Sequence, residues 1–93
     1  MEYLIPCSDG FWELGYNQWP DVFRPNELPF ERLPGQAYRL LIAGVPVYFA
    51  DEMPGIQIAV KGELSDVVGR QIADDVLANL QRTTGQQGYV VEL

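Results

Sequence analysis

Two rhythms of apolar and polar residues can be read along the chain. Ile56-Gln57-Ile58-Ala59-Val60-Lys61 alternates with period two, as a half-buried strand does. A few residues later Val68, Ile72, Val76 and Leu80, with Ala73 and Leu77 beside them, recur at helical spacing and share one face. Ser65 stands at the N-cap position, Asp66 in the first turn, Arg82 in the last and Gly85 at the C-cap. The spacing therefore predicts a helix over 66–83.

Upstream, Tyr38-Arg39-Leu40-Leu41-Ile42 and Val45-Pro46-Val47-Tyr48-Phe49 flank Ala43-Gly44. A two-residue turn sets Ile42 opposite Val45, Leu40 opposite Val47 and Tyr38 opposite Phe49. One face is then wholly apolar, the kind of match that fixes register. A three-residue loop gives the poorer pairs Leu41 with Val45 and Arg39 with Val47. Pro46 has no N–H to donate, which predicts an edge strand or an irregularity there. Asp51-Glu52-Met53-Pro54-Gly55 reads as a turn after this hairpin, Pro-Gly being a type II signal. Tyr3-Leu4-Ile5 reads as an opening strand and Tyr89-Val90-Val91-Glu92-Leu93 as a closing one.

Residues 8–35 carry a different texture. Prolines at 20, 25, 29 and 34 and glycines at 10, 15 and 35 leave no room for a long helix or a central strand. Irregular structure with some 3₁₀ turn is expected, pinned by aromatic side chains. The sequence thus predicts a single α+β domain over 1–93, with a mostly antiparallel sheet of four to five strands and one main helix on one face.

Composition narrows the chemistry. The 93 residues contain no histidine and one cysteine, Cys7, so neither a His-dependent nucleophile nor a usual structural zinc site can be assembled. With no cofactor motif either, a non-enzyme is expected. No disulfide can form within the chain and the N-terminus lacks a signal-peptide pattern, so a cytoplasmic protein is expected. Thirteen acids against six bases, a net charge of −7, argue against direct nucleic-acid or membrane-surface binding. Asp74-Asp75 on the helix reads as a solvated pair, with Arg70 one turn before Asp74.

What is left is surface recognition. Residues 1–23 hold Glu2, Asp9, Glu13 and Asp21 with no base among them, and Asp51-Glu52 adds two acids on a turn. Six of the eleven aromatic residues fall between Phe11 and Phe30. Trp12, Tyr16 and Trp19 are expected to be partly exposed, and Phe11, Phe23 and Phe30 to point inward. Aromatic residues of this kind are enriched at binding hot spots. The expected partner-binding set is therefore Glu13, Asp21, Asp51, Glu52, Trp12, Tyr16 and Trp19.

In size, charge and texture the whole chain is similar in general type to bacterial immunity proteins and antitoxins, though it shares no diagnostic motif with them. That resemblance implies a small inhibitor covering the active site of a basic toxin or nuclease-like effector, with charge complementarity setting on-rate and specificity. Two other classes of function fit the composition. One is a DNA-mimicking inhibitor of the anti-CRISPR type, which requires the acids to fold into a continuous stripe. The other is a small-ligand module or assembly adaptor, which requires a pocket of ~300 Å³ or more or a free strand edge.

Overall fold

The computed structural model describes residues 1–93 as one antiparallel sheet with helices on a single face. The strands are β1 (Glu2–Pro6), β2 (Phe30–Leu33), β3 (Tyr38–Ile42), β4 (Val45–Glu52), β5 (Gly55–Val60) and β6 (Val91–Glu92), in spatial order β2-β3-β4-β5-β1-β6. A 3₁₀ turn at Tyr16–Gln18 runs into the short helix α1 (Trp19–Val22), and the long helix α2 spans Asp66–Thr84. No helix is long and apolar enough to cross a membrane.

The expected α+β architecture is present, with one more strand than the sequence suggested. That strand is β2, inside the segment read as irregular. Pro29 and Pro34 fall just outside its four residues, so neither removes a donor from the ladder with β3.

The β3–β4 hairpin has the expected two-residue turn and register, with Tyr38 opposite Phe49, Leu40 opposite Val47 and Ile42 opposite Val45. Ala43 and Gly44 both take positive φ, 49° and 82°, the mirror-image turn that matches strand twist. Ala43 is there against its side chain's preference. Ala43→Asn is expected to stabilise by about 0.5–1 kcal/mol, because Asn tolerates this region and Asn-Gly suits the turn. The midpoint of urea unfolding checks it.

Two local expectations are corrected. Pro46 lies within the sheet, on β4 between β3 and β5. Its carbonyl accepts from the Lys61 N–H at 2.9 Å, so the donor it lacks would have served only the residue after β5 ends. The free edges are instead β2 and β6. The β4–β5 connection is a two-residue turn whose Met53–Pro54 peptide is cis, and Gly55 is already the first residue of β5. A Cβ at Gly55 would collide with the Ile5 carbonyl, which is why the residue beside β1 there is glycine.

Helix α2 is capped as expected. The Ser65 hydroxyl accepts from the Val68 N–H at 3.1 Å, and Gly85 closes the helix in the left-handed conformation at φ 75°. Ile72, Ala73, Val76 and Leu80 lie fully buried on Ile5, Leu40, Ile56 and Ile58 of the sheet in one core. Asp74 is exposed and paired with Arg70 at 2.9 Å. Asp75 is not solvated: it is only 8% exposed. One carboxylate oxygen accepts from the Asn26 N–H at 2.9 Å and the other from Gln71 Nε2 at 2.8 Å, the pairing that a buried acid requires.

Candidate functional site

The aromatic segment is held against α2 by polar clamps, and these decide what it shows to solvent. Asn79, fully buried on α2, donates from Nδ2 to the Val22 and Arg24 carbonyls at 3.1 and 3.2 Å. Arg82 donates to Asn79 Oδ1 at 2.8 Å and fixes which way the amide points. Together with Asp75 on Asn26, these bonds tie residues 22–26 to the helix.

From that anchorage a ladder of rings runs outward. Phe23 stacks on Phe49 in the core with centroids 5.3 Å apart, and Trp19 leans on Phe23 at 5.0 Å and on Tyr38 at 5.6 Å. Tyr16, 80% exposed, ends the ladder 4.7 Å from Trp19. Pro20 in the first turn of α1 suits a helix start, where its missing donor has no partner to lose.

The outer rungs form one wall of an open groove of about 370 Å³, lined by Tyr16, Trp19, Pro20, Arg32, Gln36 and Tyr38. The Arg32 guanidinium lies 3.8 Å from the centre of the Tyr38 ring, a cation–π contact. Burial pushes the Tyr38 hydroxyl above the ordinary phenol value. Arg32 opposes that shift, and the charge of nearby Asp21 adds to it. Trp19 Nε1 is buried without an acceptor, a loss of about 1–3 kcal/mol for a donor of this kind. The groove offers aromatic faces, a guanidinium and an amide. Its volume meets the size expected of a small-ligand site.

Of the expected binding residues, only Tyr16 and Trp19 line the groove; Asp21 is exposed on α1 next to Pro20 and acts on Tyr38 through its charge. Trp12, Glu13, Asp51 and Glu52 are not part of its lining. Trp12 is only 4% exposed and donates from Nε1 to the Ile5 carbonyl at 2.8 Å, so it belongs to the core. The inward expectation holds for Phe23 and fails for Phe11 and Phe30, which are 63% and 39% exposed. The segment turns sharply here, Gly10 taking φ 116°, and sends Trp12 under and Phe11 out.

Glu13 is exposed beside the exit of α2, its N–H donating to Gln86 Oε1 at 2.8 Å. Asp51 and Glu52 are exposed at the end of β4 and point to opposite faces of the sheet, as neighbours on a strand must.

Arg32, Gln36 and Tyr38 were missed as site residues. A signal existed in the alternation Phe30-Glu31-Arg32-Leu33, which places Arg32 on the face of Leu40 and Tyr38. The flanking prolines masked it.

Partial burial at the strand end raises the Asp51 carboxyl above its ordinary value. The folded state thus binds this proton more readily than the unfolded chain, so its contribution falls as pH rises from the ordinary carboxylate range through the raised value. Asp51→Asn is expected to raise the melting temperature at pH 7 and to change it less at pH 4. Thermal unfolding at the two pH values checks the sign.

The charges are distributed in a way that composition could not show. The only side-chain ion pairs are Arg70 with Asp74 and Arg70 with Glu92, which leaves eleven of the thirteen acids without one. Arg24 and Arg39, like Arg32, lie over rings, those of Phe30 and Tyr48 at 4.8 and 5.6 Å. Comparison with protein-family models, curated proteins and solved structures gives no match, so the reading rests on this geometry alone.

Proposed function

We propose that this chain is a small, non-catalytic, cytoplasmic inhibitor of the immunity-protein or antitoxin type, which neutralises a basic bacterial toxin or nuclease-like effector by covering its active site. The observation that carries the reading is the unspent acidity. Eleven acids have no ion-pair partner, while three of the five arginines are placed on aromatic rings. Ion pairs within the chain would waste that charge. Left free, it steers a basic partner and discriminates against acidic ones.

The Tyr16–Trp19–Tyr38 groove, with exposed Asp21 following Pro20 on α1, supplies the aromatic anchor around which such an interface is built. A standard interface takes about 800 Å² from each partner. The chain exposes 5230 Å², so one such patch would be a dominant feature of its surface.

The test begins with affinity capture from the native host and continues with the purified partner. A basic enzyme, inhibited on binding, is the expected capture. Its affinity should fall with salt and drop at least about tenfold when Tyr16 is replaced by Ala or Asp21 by Lys. An affinity indifferent both to salt and to reversal of Glu13, Asp21, Asp51 and Glu52 would refute the electrostatic mechanism.

A further inference from the structure

The helices cover one face of the sheet and leave the other bare. On a solvated face the outward positions of an antiparallel sheet are ordinarily polar. Here half-buried Leu4, Leu33, Leu41, Tyr48 and Ala50 and buried Ala59 stand among Glu2, Glu31, Arg39 and Gln57. A shallow depression of about 230 Å³ crosses the face between Tyr48, Ala50, Gln57, Ala59, Glu2 and Lys61. An apolar surface of this kind marks an interaction site.

The registers identify what fits it. One row of side chains crosses all six strands: Leu33 on β2, Arg39 on β3, Tyr48 on β4, Ala59 on β5, Glu2 on β1, and Leu93 directly after β6. A second copy turned about a twofold axis running along the strands, between β4 and β5, would reverse this row over itself. Arg39 then meets Glu2 of the other copy, Tyr48 meets Ala59, and Leu33 meets Leu93. A base faces an acid, a large side chain faces a small one, and an apolar residue faces another. Neither Arg39 nor Glu2 has an ion-pair partner within the chain.

We infer that the bare sheet face is a homodimer interface, two copies packing sheet on sheet with Arg39 of each against Glu2 of the other. The geometry is the aligned packing of a β-sandwich, in which inner side chains interdigitate between sheets about 10 Å apart. A twofold contact of this sort closes on itself and yields a dimer, with no route to a filament. Six strands about 4.8 Å apart and about five residues long give a face of roughly 500 Å². Two such faces bury about 1,000 Å², the low end of the interface range, which fits a weak, reversible dimer. The groove at Tyr16 and Trp19 lies with the helices on the other side and stays free for a partner.

The experiment uses the purified chain alone, so its outcome is independent of the proposed inhibitor role. Sedimentation equilibrium over a concentration series, at about 0.15 M salt where charges are screened beyond about 8 Å, should show a reversible dimer. Arg39→Glu and Glu2→Arg should each weaken self-association at least about tenfold, since each sets like charges face to face. Mixing the two variants should restore the dimer, because every 39–2 contact in the mixed pair is again of opposite charge. Far-UV circular dichroism verifies that both variants are folded. A wild-type chain that stays monomeric at every concentration overturns the inference. So does a dimer indifferent to both substitutions, or one that mixing fails to restore.

Discussion

Replacing Trp12 by alanine is expected to cost about 3–5 kcal/mol, the range for a buried large aromatic side chain. The indole is 4% exposed and fills the space where the chain crosses from α2 toward β6. Gly88 passes so close that a Cβ there would strike both the Pro6 carbonyl and the Trp12 ring. The same ring donates to the Ile5 carbonyl on β1, so truncation also removes that hydrogen bond. Trp12→Phe keeps most of the ring and drops only the donor, and should cost about 1–3 kcal/mol. Denaturant unfolding separates the two variants. Against the roughly 5–15 kcal/mol that holds a domain together, this is a large fraction of the total. Tyr16→Ala supplies the contrast. That side chain is 80% exposed, so the substitution should move stability by no more than about 0.5 kcal/mol while reducing partner affinity.

The second large effect is expected at Asn79. Asn79→Ala removes the donor from two carbonyls, those of Val22 and Arg24, and the acceptor from Arg82. A buried polar group left unpaired costs about 1–3 kcal/mol, so a total of about 2–4 kcal/mol is expected. The consequence is not confined to stability. Residues 22–26 hold α1 in place, and α1 holds Trp19 in the ring ladder. Hydrogen exchange should therefore speed up in 19–26 well before the strands are affected, and binding of the proposed partner should weaken although Asn79 itself is fully buried. Asp75 acts on the same segment through Asn26, so removing both clamps should cost less than the sum of the single losses.

Much of the fold is legible in the sequence because local rules act there without competition. The cap at Ser65, the stripe from Val68 to Leu80 and the glycine at 85 each specify part of α2, and they agree. The β3–β4 register follows because a slip of one residue would turn an apolar face outward. Between residues 8 and 35 no period exists, since prolines and glycines interrupt every window. There the choice of Trp12 over Phe11 for the core depends on a carbonyl of β1, and the strand β2 depends on a ladder with β3. Neither partner is a neighbour in sequence.

The charge divides in the same way. Composition by itself determined that the chain is acidic, holds no histidine and cannot assemble the commonest catalytic or zinc-binding sets. Periodicity determined the α+β class, the helix and the central hairpin. Only the tertiary structure decided that Asp75 is a buried clamp, that Tyr16 and Trp19 share a groove with Arg32, and that Glu13, Asp51 and Glu52 are not part of its lining. The physical reason is range. Period and capping are written within a few residues, whereas hydrogen-bond partners, ion pairs and exposed faces are set by which distant segments the core brings together.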